Sequence, residues 1–334
     1  MFRTVAIIAK VFIACCTNVF LLEAISRESP GSANLITFSQ FALVAFQGLL
    51  VNHFKGKPRM IPLTEYAKMV ILFFFVSTGN NFALNYNISV PLHVIFKSGS
   101  LFANLILGII LLRRRYSSTK YLSVFLITIG IILCTISSYN EPLHGSKKES
   151  EDFLFTWLIG ISIMTVSLFT SAFMGIYQEK LYSKYGKHPQ EALFYCHLLP
   201  LPGFLLLWSD LSKQIVAFNQ SPLVSLDYLP FCGHIYVPKL WIYLFLNALT
   251  QYICVSSVFS LTSEHTSLTV TLVVTLRKFF SLLLSVVYFK NLFTFYHWVG
   301  AFLVFFGTLM FMDIHRTVYN YLTGQRQSTK AKRS

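Results

Sequence analysis

The sequence predicts an all-α membrane protein with ten transmembrane helices in two inverted five-helix repeats. Composition comes first: 54% of the 334 residues are hydrophobic and 12% are charged, with 33 Phe and 17 Tyr. That charged fraction is about half of the ~25% typical of soluble domains. With a mean hydropathy of +0.60, it excludes both a water-soluble globule and a disordered chain. The second observation is a series of ten apolar runs, each near the ~20 residues that span a ~30 Å hydrocarbon core. The third is that mid-membrane cations recur on the fourth helix of each half.

The runs lie near residues 4–23, 34–52, 67–88, 91–112, 121–139, 153–176, 191–209, 240–262, 266–289 and 295–313. Seven passes, as in a heptahelical receptor, leave apolar runs unassigned. The first run follows Arg3 and contains Lys10 but shows no small-residue cleavage site, so it reads as a retained helix, not a signal peptide. With the N-terminus in the cytosol, 17 basic residues fall in cytosolic segments and six in the opposite loops. The positive-inside rule therefore places both termini in the cytosol. The net charge of +14 is then topology and calls for no nucleic-acid partner; the lipid bilayer is the partner it fits.

Residues 1–316 read as a single polytopic membrane domain, with halves of about 1–139 and 153–316. A polar, non-cytosolic loop, 140–152, joins them and carries Glu141, Glu149, Glu151 and Asp152. Residues 317–334 form a flexible, basic cytosolic tail. Of six cysteines, only Cys232 falls in a non-cytosolic loop, so no disulfide framework is expected. The sequon at Asn219 is followed by Pro222, and the one at Asn87 lies too near the membrane to be a good acceptor.

An ionisable side chain in mid-membrane costs ~2.5–3.5 kcal/mol and needs a reason. Lys97 in the fourth helix and Arg277-Lys278 in the ninth stand out. The segments Lys97-Ser98-Gly99-Ser100 and Lys278-Phe279-Phe280-Ser281 share Lys-x-x-Ser on helices that run in opposite directions. That is the pattern of an inverted repeat, whose interface places a binding site near the midplane. All thirteen acids fall in loops or at helix ends, which leaves these cations without a protein counter-ion. A ligand with two or more negative charges would offset them, and a diphosphate suits Arg277 as a bidentate fork and the lysines as movable point charges. The lack of a membrane carboxylate favours exchange of anion for anion over proton or sodium coupling. Asn81 and Asn85 share a face of the third helix, and the seventh carries Phe194-Tyr195-Cys196-His197. Together with the cations these could bind a base or sugar; singly, each reads equally well as an interhelical hydrogen bond or a core residue.

The stretches PLHVIFKSGSL (91–101), GKHPQEALFYCHLLPLPGF (186–204) and SLTVTLVVTLRKFFSLL (267–283) resemble the nucleotide-sugar transporters of the drug/metabolite transporter superfamily. The branch of UDP-N-acetylglucosamine and UDP-xylose carriers is the most similar, over about residues 10–313. The resemblance implies that superfamily's fold, with a central site open alternately to cytosol and lumen. It implies uptake of a UDP-sugar into the Golgi or endoplasmic reticulum in exchange for UMP. Family lysines on helices four and nine approach the phosphates and fall on Lys97 and Lys278. Relatives carry Phe-Tyr-Asn-Asn on helix seven, so only Tyr195 transfers directly to the base. Lys330 and Lys332 resemble a dilysine retrieval signal that coat proteins read from a cytosolic tail.

The expected site is thus Lys97, Lys278 and Arg277 for the phosphates, with Ser100 and Ser281 beside them. Tyr195 and His197 would contact the base, and Asn81 and Asn85 the sugar. No cofactor or metal is expected. The nine histidines are dispersed, and no HExxH or aspartate-rich motif occurs, which argues against a membrane-embedded transferase. An anion channel, or a carrier of another phosphorylated anion such as a GDP-sugar or adenine nucleotide, is the alternative.

Overall fold

The computed structural model describes residues 2–55, 59–86, 88–140, 151–186, 188–225, 236–264 and 267–312. Most of the 140–152 loop, Asn87, Cys232 and the tail with Lys330 and Lys332 lie outside the described residues.

Helices α1 (Phe2–Glu28), α2 (Ala33–Lys55) and α3 (Leu63–Ala83) are followed by α4 (Val90–Ser98), α5 (Ser100–Leu112) and α6 (Ser118–Asn140). The second part of the chain forms α7 (Glu151–Tyr185), α8 (Pro189–Leu198), a 3-10 helix (Leu201–Leu207) and α9 (Trp208–Asn219). It ends in α10 (Lys239–Glu264), α11 (Ser267–Phe289) and α12 (Phe295–Phe311). A small antiparallel hairpin of β1 (Leu223–Ser225) and β2 (Tyr236–Pro238) precedes α10. Among the described residues, seven stretches are long and apolar enough to cross a membrane, two of them assembled from broken helices: Val90–Leu112 and Gln190–Asn219. The other three predicted runs are also helical, as α3, α11 and the 17-residue α12.

Three departures from the sequence reading have physical causes. The predicted fourth helix breaks between α4 and α5 at Gly99, where the Gly99 amide donates to Phe96 O at 2.9 Å. A Cβ there would meet Ile131 Cδ1 at 2.4 Å, so glycine lets α6 approach. The seventh helix, predicted over 191–209, stops at Leu198, because Pro200 and Pro202 carry no amide donors to continue it. The chain runs on as the 3-10 turn and α9. Helix α1 continues five residues beyond its predicted end at residue 23, which puts Glu23 inside a helix.

The helices pack through small and amide residues. On α6 and α12, Gly130 and Gly300 back onto one another; a Cβ on Gly130 would meet Gly300 O at 2.5 Å. Between α1 and α10, Asn18 Nδ2 donates to Asn247 O and Asn247 Nδ2 returns the bond to Asn18 O, both at 2.9 Å. Gln40 from α2 donates to Asn247 Oδ1 at 2.7 Å. The same pair of helices carries a Cys15–Cys254 disulfide. This corrects the expectation that cysteines within helices stay unpaired: residues 239 apart in sequence face one another only once α1 lies against α10.

Several of the contacts come in matched pairs when the two parts of the chain are exchanged. Helix α1 packs on α10 and on α11; α7 packs on α3 and on α5. Helix α2 packs on α10, and α8 on α3. Helix α4 packs on α6, and α11 on α12. Among the described residues, backbone positions with positive φ follow the same scheme. Gly31 (φ 89°) and Gly186 (φ 87°) turn the chain after α1 and α7, while Arg113 (φ 49°) and Lys290 (φ 51°) cap α5 and α11.

Candidate functional site

Helix α4 starts on Ser89, whose Oγ accepts from the Leu92 amide at 3.4 Å, with Pro91 in its first turn. It packs against α5, α6, α7, α11 and α12. Lys97, in its last turn, is nevertheless exposed. Its side chain thus reaches solvent-accessible space although the helix contacts α6, α7, α11 and α12. The accessible positions of α4, Val90, Val94 and Lys97, form one stripe along the helix. Opposite, α11 presents the half-buried Arg277 and Lys278, and the three cations lie within electrostatic reach of one another. Among the described residues, none of them forms an ion pair with a carboxylate, and Arg277 Nε is buried without a hydrogen-bond partner. The arrangement is a pocket of positive charge held by two helices from different halves. A multivalent anion would satisfy it.

A cavity of about 640 Å³ opens at the end of the bundle that holds Lys290. Val90 and Pro91 line it on one side, Arg27, Lys290 and Asn291 on the other. Glu23 forms part of its wall and is 2% exposed. Its carboxylate accepts from Ser285 Oγ at 2.5 Å, from Asn291 Nδ2 at 2.8 Å and from the Arg27 guanidinium at 3.3 Å. Arg27 also donates to Asn291 Oδ1 at 2.5 Å and lies over the Phe289 ring. A buried carboxylate is therefore present, contrary to the sequence reading, but it is fully engaged in tying α1 to α11 and does not reach the three cations. The i, i+4 spacing of Glu23 and Arg27 was a signal for it.

The remaining predicted residues divide. Ser100 opens α5 immediately after the break that follows Lys97 and is partly accessible. Ser281 is buried and donates to Cys16 Sγ at 3.4 Å. Asn81 is held between helices: its Nδ2 donates to Thr37 Oγ1 at 2.7 Å and to Asn34 Oδ1 at 3.2 Å. Asn85 is exposed in the turn after α3 and lines the cavity at the Lys290 end. Tyr195 lies at the other end of the bundle, stacked on Tyr66 at 4.8 Å beside Ile61 and Leu181. His197 is a core histidine. Its Nδ1 donates to Leu193 O of its own helix at 2.7 Å, and its ring meets Phe41 and Phe73 edge-on. The structure thus brings Lys97, Arg277 and Lys278 together and leaves Asn81, His197 and Ser281 with protein partners. Among the described residues, no group of His, Cys, Asp and Glu could hold a metal ion.

Residues 3–315 match the UAA transporter family. The chain is 48% identical over 334 residues to the UDP-xylose and UDP-N-acetylglucosamine transporter of Danio rerio, covering 99% of this chain and 100% of that one. It is 49% identical over 316 residues to the nucleotide sugar transporter SLC35B4 of Homo sapiens, covering 93% and 94%. It is 48% identical over 316 residues to the endoplasmic reticulum GDP-fucose transporter of Drosophila melanogaster, covering 91% and 88%.

Proposed function

Because the chain belongs to the UAA transporter family, we propose that it carries UDP-N-acetylglucosamine into the Golgi or endoplasmic reticulum lumen in exchange for UMP, by alternating access. UDP-xylose and UDP-N-acetylgalactosamine are the further substrates of this reading. The observation that carries it is the set of Lys97, Arg277 and Lys278, which face accessible interior space with no acidic partner among the described residues. A diphosphate neutralises that field in the loaded carrier, and UMP does so on the return. The empty carrier would move three uncompensated charges, which disfavours net uniport. The half-buried Tyr195, backed by the fully buried Tyr66, offers the base an aromatic face at one end of the path. Asn85 and Ser100 keep accessible polar atoms along it. Of the nine residues read from the sequence, His197, Asn81 and Ser281 then support the site from behind.

In this reading the chain crosses the membrane ten times as one domain over residues 1–316, in two inverted halves. The exchangeable helix contacts and the paired positive-φ residues support that arrangement. The end holding Arg113, Arg114, Arg115, Lys120, Lys180 and Lys184 is the cytosolic one, by its basic residues. The Lys290 end then opens to the lumen, and the tail places Lys330 and Lys332 where coat proteins read retrieval signals. Glu23 meets Asn291 just past α11, as Glu179 of α7 meets Arg114 just past α5, at 2.6 Å. These ties are the counterparts that open in turn at the two membrane faces.

A GDP-sugar is the second reading, favoured by the Drosophila GDP-fucose transporter, which is as similar to this chain as the UDP-sugar transporter of Danio rerio. Counter-flow in proteoliposomes separates the two. With UMP inside, uptake of labelled UDP-sugars but not GDP- or CMP-sugars or ATP establishes the first. Uptake of GDP-fucose against GMP establishes the second. Equal uptake into vesicles with no internal nucleotide overturns the exchange mechanism.

A further inference from the structure

We infer that His93 is the residue that reads the sugar of the bound nucleotide sugar. This rests on the reading of the cation site given above. His93 lies one turn before Lys97 on α4, about 6 Å along the axis and about 40° round it. It therefore flanks the accessible stripe of Val90, Val94 and Lys97. His93 is 8% exposed, and its Nε2 is buried without a hydrogen-bond partner among the described residues. A native interior rarely leaves such an atom unsatisfied, and each one calls for an explanation; beside the cation site, a bound ligand supplies one. His93 and Arg277 are two such orphans, on the two helices that carry the lysines, α4 and α11. Among the described residues the other three are the Trp157 N–H, within the apolar cluster of Ile88, Leu92 and Met164, and the hydroxyls of Ser26, on α1 at the Lys290-end cavity, and Ser32, just before α2; none of these lies on α4 or α11.

Direction along α4 assigns the ligand moiety. From Lys97 the stripe leads through Val94 to Val90, which lines the cavity at the Lys290 end. The aromatic pair Tyr195 and Tyr66 lies at the opposite end. Phosphates anchored at Lys97 and Lys278 with the base toward Tyr195 direct the sugar toward His93. There Nε2 meets a sugar hydroxyl or the N-acetyl group. The imidazole is a specificity contact, distinct from the cations that hold the charge.

The test is counter-flow by His93→Phe, which keeps a planar aromatic ring of somewhat larger size and removes the ring nitrogens, with UMP and UDP-N-acetylglucosamine measured separately. UMP lacks the sugar. The expected result is a KM for UDP-N-acetylglucosamine raised about tenfold, with the KM for UMP within about twofold of wild type. A merely structural role would move both together. Should His93→Phe lose UMP exchange as well, His93→Gln, whose amide reaches the Nε2 position, decides: recovery of both substrates supports the assignment, and recovery of UMP alone or of neither overturns it. Unchanged KM values for both substrates in His93→Phe also overturn it. Failure of the wild-type protein to exchange any UDP-sugar is a separate result, which removes the underlying reading and this assignment with it.

Discussion

At the Lys290 end, Glu23 is buried and accepts hydrogen bonds from Ser285, Asn291 and Arg27, whereas at the Arg113 end Glu179 meets Arg114 alone, with side chains 58% and 47% exposed. The backbones match: in each place an acid near the end of one helix meets the second residue beyond another, after a left-handed cap. The difference is solvent. A buried carboxylate is held by every donor it has, and removing it strands those donors. An exposed pair competes with water and salt and contributes ~0.2–1 kcal/mol. Matched geometry therefore does not mean matched energy, and the Lys290 end is the more firmly tied of the two.

The comparison breaks most severely at the cations that both halves supply. Lys278→Ala and Lys97→Ala should each abolish counter-flow. Truncating one partner of a desolvated charge contact costs ~2–5 kcal/mol, or about 30- to 4,000-fold. Both proteins should remain folded by size-exclusion chromatography. The proposed inverted arrangement of the halves predicts losses of the same order for the two lysines, and a transporting Lys278→Ala protein would overturn the proposed phosphate site. The next effect is at Glu23. Glu23→Ala strands the Ser285 hydroxyl and removes the Arg27 ion pair, while Asn291 keeps Ser285 O and Arg27 keeps Asn291 Oδ1; it should cost about 1–3 kcal/mol, read as a lowered Tm in detergent. A Tm unchanged from wild type would show that the tie on α1 is not what holds α11 there.

Much of this was legible in the sequence because hydrophobic length and charge placement are local properties. The ten apolar runs all fall in helical segments, two of them broken, and Lys97 lies within electrostatic reach of Lys278 from the other half of the chain. What escaped depends on tertiary placement. Cys15 and Cys254 sit in unremarkable apolar stretches until α1 and α10 pack. Glu23 lay at an expected helix end, and only the extra turn and a half of α1 buries it. His197 had the residue type of a ligand contact, but its own-helix bond to Leu193 O is a matter of rotamer. The break at Gly99 was hidden because a single glycine does not stop a helix; the approach of Ile131 decides it. His93 gave no signal, since an unpartnered nitrogen is visible only when its neighbours are.

The smallest expected effect sharpens the comparison most, because it separates geometry from burial. Glu179→Gln removes the charge from the exposed tie and keeps its shape, and should lower stability by less than ~1 kcal/mol. Raising salt to 1 M shortens the screening length to ~3 Å and should shrink even that difference. The same Gln at position 23 should cost more and keep its cost in salt, since no mobile ion reaches a side chain that is 3% exposed. Chemical denaturation in urea, whose ionic strength is set independently, measures all four values. If Glu179→Gln matches Glu23→Gln in both magnitude and salt response, burial is not what distinguishes the two ends. If instead the two differ in stability but slow exchange alike, the ties act as counterparts in the transport cycle whatever their static energies, as the proposed alternating access requires.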